Sequence, residues 1–180
     1  MDSTEKTLPL AIVGRPGAGR SAVLLALVNN LAGKGYRVGV VKHLESEDAE
    51  SGRSGKDTYL YQAQGAQKII LSGQKHLTVF ADIQRECSVR ELLREFPGYD
   101  FVFFESYFIN EIPALEVHQQ AAGDLISKDW PNVIAICSDS RMPAPDGLAS
   151  PKVRFFAWNQ LADLADFLEQ YSSAHRPAHA

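Results

Sequence analysis

The run Gly14-Arg15-Pro16-Gly17-Ala18-Gly19-Arg20-Ser21 carries the clearest chemical signal in this chain. Its first and last glycines, followed by a cation and a hydroxyl, match the phosphate-binding template G-x-x-x-x-G-K-[ST], except that Arg20 stands where lysine is usual. Such a loop holds phosphate because glycines let successive backbone N–H groups turn inward on one anion. A helix that begins where the loop ends adds its own unsatisfied N–H groups and the positive end of its dipole. The residues expected to bind nucleotide phosphates are Gly14, Arg15, Gly17, Ala18, Gly19, Arg20, Ser21 and Ala22, with the Ser21 hydroxyl placed to ligate Mg2+. The bland alternative is a glycine turn joining a strand to a helix.

Arg20 alters what the loop can do. Lysine brings a compact point charge to the outer phosphates, whereas guanidinium is wider, planar and forked. Binding is therefore expected to survive more readily than turnover. Arg15 is either a further phosphate contact or a solvent-exposed arginine. Glu105 ends the apolar run DFVFFE. A carboxylate at the end of a strand beside such a loop holds Mg2+ through water or orients the attacking water, so Glu105 is the candidate catalytic residue and a metal ligand. Asp100, at the other end of that run, is read as structural. Lys42 and His43 leave a second strand at its carboxyl end, where ligands bind in open α/β sheets, and are candidates for a phosphate or a second substrate. A solvated strand-end histidine is the plain reading of His43.

These residues need a sheet to carry them. Leu8–Val13 reads as a buried strand, AVLLALVNNLA as a helix with Gly33 at its C-cap and Gly35 as the alternative, and Tyr36–Lys42 as a second strand. That β–loop–α–β order is the crossover of a parallel sheet. Residues 44–56 are acidic and then Gly/Ser-rich, and read as a mobile loop. Asp57 can cap a short helix that Gly65 ends. Further strands are expected over 67–71, 77–81, 100–105, 132–137 and 153–158, with a marginal one over 114–118. Helices are expected over 89–96 and after Asn159, where Leu161, Leu164, Ala165, Leu168 and Tyr171 share one face. The fold class is α/β: a mainly parallel, doubly wound sheet of the P-loop NTPase type, in one domain over 1–172 with a disordered tail over 173–180.

Composition narrows the partners. The chain has 180 residues, 45% of them hydrophobic and 22% charged, which suits one domain with a core. A net charge of -4 offers no basic field for nucleic acid or anionic lipid, so phosphate recognition is local to one loop. No membrane span or signal peptide is expected. Cys87 and Cys137 lie far apart in sequence, and the latter sits in an apolar run, which fits a reducing cytoplasm. His76, His118, His175 and His179 show no ligand spacing, so no structural zinc is inferred. The guanine-reading N-K-x-D motif is absent, and Asp139 after NVIAIC is read as a turn former rather than a guanine acceptor. Guanine and adenine stay open.

The phosphate loop, GKGYRVGVVKH at 33–43, GKDTYLYQAQGAQKIIL at 55–71, DFVFFE and NVIAICSD together resemble the MobB proteins, adapters of molybdopterin-guanine dinucleotide biosynthesis. The likeness runs in order over roughly the first four-fifths of the chain, and GKDTY with the following GA is its most specific part. The resemblance implies GTP binding with Mg2+ and weak hydrolysis, a homodimer, and a supporting role beside a MobA-like guanylyltransferase. ATP is not excluded. It adds Lys56 and Asp57 to the expected site, beside the loop, Lys42, His43 and Glu105. The chain departs from the family at Arg20, at Leu44-Glu45-Ser46-Glu47-Asp48, and at Ser106-Tyr107, where the family usually has Gly-Phe.

Two other functions compete. A small-molecule kinase of the P-loop type would need an arginine-rich lid, and 139–151 contains only Arg141. A non-hydrolysing phosphate-binding interaction module is favoured by Arg20.

Overall fold

The computed structural model describes residues 6–44, 56–107, 109–140 and 152–175. In chain order the elements are β1 (Leu8–Val13), α1 (Arg20–Gly33), β2 (Val38–Lys42), α2 (Lys56–Ala63), β3 (Lys68–Ser72), β4 (Leu77–Ala81), α3 (Val89–Leu93), β5 (Phe101–Glu105), β6 (Ala114–His118), β7 (Val133–Ser138), β8 (Arg154–Ala157) and α4 (Leu161–His175). The chain divides into two compact units, Met1–His43 with Val89–Ala180, and Leu44–Ser88.

In the first unit six strands form one sheet in the order β2-β5-β1-β6-β7-β8, every neighbouring pair parallel. Parallel strands covered on both faces must be apolar on both, which is why LPLAIV and FVFFE read as unbroken apolar runs. Alternate residues divide between two cores. Leu10, Ile12, Phe101, Phe103, Leu115 and Val117 meet Val23, Leu24, Leu27 and Leu31 of α1 and Leu164, Ala165 and Leu168 of α4. Ala11, Val13, Val102 and Phe104 face the other way, toward Val89, Ile112 and Leu125, so α3 and irregular segments cover that side.

The marginal strand 114–118 is in fact wholly buried beside β1. Its polar residues are accommodated by hydrogen bonds, since a buried carboxylate without partners would be costly. Glu116, 1% exposed, accepts the backbone N–H groups of Ile126 (2.7 Å) and Ser127 (2.9 Å). Between β6 and β7 the register slips: Ala114 pairs with Val133, but Leu115 pairs with Ala135, leaving Ile134 as an extra residue.

Local signals set the ends of α1. Gly35, with φ 89°, takes the left-handed position, Lys34 is the cap, and Tyr36 N–H bonds to Leu31 O at 3.1 Å; Gly33 is still helical. Lys34 then binds Asp166 and Glu169 of α4, and the Tyr36 hydroxyl donates to Glu169 at 2.6 Å. These partners hold the Lys34 ammonium above its ordinary pKa and the Glu169 carboxyl below its own. Exposed pairs of this kind add little stability but fix where α4 crosses α1. α4 continues to His175, three residues into the stretch expected as a tail; 176–180 lie outside the described residues. α3 stops at Leu93, short of the expected Phe96.

In the second unit β3 and β4 form an antiparallel hairpin, Lys68 opposite Ala81 through Ser72 opposite Leu77. Ile70, Leu77 and Val79 are exposed on it. α2 starts at Lys56, so Asp57 lies in its first turn rather than at its cap. The loop expected over 44–56 falls mostly outside the described residues.

Cys137 is buried in β7 and burial pushes its thiol up to about 12. A raised thiol pKa means the folded state keeps a proton that the unfolded state loses above its lower value. The contribution of this group is intact below about 9 and falls as pH rises toward about 12. At pH 8 a thiol reagent should modify half-buried Cys87 quickly and Cys137 only after unfolding; equal native rates would contradict the burial.

Candidate functional site

All six parallel strands present their carboxyl ends along one edge, and the candidate residues of the first unit collect there. β1 runs into Gly14–Gly19 and α1 begins at Arg20. Gly14, Gly17 and Gly19 have φ of 151°, 80° and 83°. A Cβ at Gly14 would lie far inside van der Waals distance of the Val117 carbonyl oxygen, and one at Gly19 would come 2.9 Å from Trp158 Cη2. The glycines are thus required by neighbours as well as by backbone conformation. No side chain caps α1, so its first N–H groups open into the loop, flanked by Ala18, Ser21 and Ala22.

Ser21 Oγ donates to Glu105 Oε1. Glu105 is 7% exposed and, by register, sits between Ile12 of β1 and Lys42 of β2. A hydroxyl and a carboxylate in contact at the start of a helix supply two hard oxygen donors, the kind Mg2+ takes when phosphate and water complete its shell. Among the described residues no group of three or more His, Cys, Asp or Glu could hold a metal unaided. His43 N–H donates to Glu105 O at 3.0 Å, and its ring meets Tyr107 edge-on at 5.2 Å. Lys42, His43 and Glu105 therefore stand together. Lys56 and Asp57 belong to the second unit, in the first turn of α2.

Arg15 and Arg20 take different courses. Arg15 is solvent-exposed, as one of its two readings had it, and donates Nε to the Asp124 carbonyl at 2.9 Å, a tie to the segment after β6 that sequence did not foresee. Arg20 lies half-buried, its Cγ 3.5 Å from the place a Gly14 Cβ would occupy. Its stem thus lies close to the loop's first glycine.

His118 and Trp158, to which sequence gave no role at the site, stand with Asp139 at the ends of the remaining strands. His118, 6% exposed, meets Gly123 O through Nε2 at 2.9 Å and Ser138 Oγ through Nδ1 at 3.1 Å. The carbonyl can only accept, so Nε2 carries a proton and donates to it, while Nδ1 and the Ser138 hydroxyl share the second bond. Asp139 accepts Gln120 N–H at 3.0 Å, which makes it a tie between two loops, in line with a turn role. Trp158 covers Gly19 from the end of β8. Only the apolar character of FFAW hinted at that contact, and it gave no direction.

Ser106, immediately after Glu105, has φ 67°, the left-handed region. An L residue there costs about 1–2 kcal/mol, against about 0.5–1 kcal/mol of chain entropy for glycine. Ser106→Gly should therefore raise stability by about 0.5–1 kcal/mol in urea denaturation. A loss of stability would show that the serine is not strained.

Comparison with known proteins meets this geometry from outside. The family model described as "MobB: Molybdopterin guanine dinucleotide synthesis protein B" matches residues 9–139. The molybdopterin-guanine dinucleotide biosynthesis adapter protein of Haemophilus influenzae is 23% identical over 164 residues, 90% of this chain and 88% of the relative. Its namesake in Escherichia coli is 25% identical over 170 residues, 90% and 91% of the two chains. The crystal structure of a MobB homolog from Bacillus stearothermophilus superposes with a TM-score of 0.64 at 18% identity, covering 93% of this chain and 99% of that one, a likeness of fold. The matched span opens in β1, takes in the phosphate loop and Glu105, and closes at Asp139, and the chain belongs to the MobB family.

Proposed function

We propose that this chain is a nucleotide-binding adapter of molybdopterin-guanine dinucleotide biosynthesis, a role its adapter relatives carry in their names. The observation that carries the nucleotide reading is the contact of Ser21 with Glu105 at the mouth of a glycine loop closed by a helix start. In this reading the backbone of Gly14–Gly19 takes the phosphates of GTP, with ATP as competitor. Ser21 and Glu105 hold Mg2+, and Glu105 orients water. Arg20, half-buried against Gly14, favours binding with weak or no hydrolysis.

The partner is a MobA-like guanylyltransferase, in the cytoplasm. A homodimer suits the exposed apolar hairpin of the second unit, where Ile70, Leu71, Leu77 and Val79 all face solvent in the single chain. Among the described residues no helix is long and apolar enough to cross a membrane.

The test is titration with GTP, GDP, ATP and molybdopterin, with and without Mg2+, read by calorimetry and by the fluorescence of Trp158 beside Gly19. Saturable, Mg2+-strengthened binding of a triphosphate is expected. A chain that binds no nucleotide under any of these conditions would sink the reading.

A further inference from the structure

Arg15 and Arg20 lie in the phosphate loop and Lys42 ends β2, one strand removed from β1, and the geometry gives the three cations unequal tasks. Arg15 is directed to the Asp124 carbonyl. Arg20 has its stem against Gly14. From that Cγ a lysine would end in one ammonium, whereas arginine ends in a planar fork with charge spread over three nitrogens. It cannot put a compact cation between two phosphates from the same start.

Lys42 approaches from the other side. It is the register partner of Glu105 on the adjacent parallel strand, about 4.8 Å away at the backbone. Val38 of β2 packs on the core beneath α1, and alternation puts Lys42, four residues on, on that same side. Phe101 and Phe103 place Glu105 there too. Glu105 in turn receives the Ser21 hydroxyl from the first turn of α1. Lys42, Glu105 and Ser21 thus form a line across the ends of β2 and β5 to the helix start, on the side where the outer phosphates of a nucleotide in the loop would lie.

Resting on the nucleotide-binding reading above, we propose that Lys42 supplies from the neighbouring strand the point charge toward the outer phosphates that Arg20 cannot supply from within the loop. Its ligand is the terminal phosphates of a nucleoside triphosphate, and its role is discrimination of triphosphate from monophosphate.

The experiment titrates GTP and GMP into the full chain and into Lys42→Gln, Lys42→Arg, Arg20→Lys and the double variant Arg20→Lys/Lys42→Gln. Lys42→Gln should weaken GTP by roughly tenfold or more, the range of a lost charged hydrogen bond, and GMP by less than about twofold. Lys42→Arg, which keeps the charge, should recover most of the GTP affinity. In the Arg20→Lys background the Lys42→Gln loss should shrink below about threefold, because the restored ammonium takes over. Unchanged GTP affinity in Lys42→Gln, or equal losses for GTP and GMP, would overturn the inference while leaving nucleotide binding intact. A parent chain that binds neither nucleotide would remove the inference together with the reading beneath it.

Discussion

Gly14→Ala should cost about 3 kcal/mol of stability and abolish nucleotide binding together, from one added carbon. Two costs combine, each of about 1–3 kcal/mol: a φ of 151° that L side chains rarely adopt, and overpacking against the backbone of Val117 in β6. That neighbour is a carbonyl in a buried strand, so it cannot swing aside as a side-chain tip would. Relief requires β1 and β6 to part at the point where Val13 pairs with Glu116. Urea denaturation with the same slope and a lower midpoint, beside a flat nucleotide titration, is the expected pair of results. A variant as stable as the parent would show that the strands do not approach as described.

Gly19→Val should also remove nucleotide binding, by a route that sequence does not disclose. Read along the chain alone, a valine at this place fills the anion site. In the structure it first meets Trp158, 2.9 Å from Cη2 and 3.0 Å from Cζ2, on a residue with φ 83°. The two causes separate in a double variant. Trp158→Ala added to Gly19→Val removes the collision and leaves about 1–3 kcal/mol of backbone strain. Partial recovery of thermal stability, with nucleotide affinity still well below the parent, is expected. No recovery at all would return the cause to the loop itself.

Much of the scaffold was legible because its strands are short, apolar and separated by breakers. Leu8–Val13, Leu77–Ala81 and Ala114–His118 fall on the expected residues, and the helix after Asn159 buries Leu164, Ala165 and Leu168 as its period requires. The loop was legible because glycine spacing records a backbone shape. What escaped depends on contacts between distant residues. Arg15 reaches a carbonyl 109 residues away, and Trp158 reaches Gly19 from the last strand. Neither leaves a local pattern. Ala114–His118 looked weak because Glu116 and His118 are polar, and only their hydrogen bonds to Ile126, Ser127, Gly123 and Ser138 make them suitable for a buried strand. The choice of Gly35 over Gly33 turned on which carbonyls α1 still had to satisfy, a matter of geometry that two glycines two residues apart do not settle.

The extra residue Ile134 in β7 has a consequence for how this strand can vary. Val133 faces the core beneath α3, Ile134 and Ala135 both turn to the opposite core, and Ile136 and Cys137 resume strict alternation. A saturation library over this stretch would record two patterns of tolerance, out of phase, meeting at Ile134. Removing that one residue would leave Val133, Ala135, Ile136 and Cys137 in strict alternation on the faces they already occupy, whereas removing any other single residue on either side of it would exchange faces. The half of β7 that ends in Ser138, beside His118 and the loop tie at Asp139, therefore takes its faces from its own pairing with β6 and not from its distance along the chain from Val133.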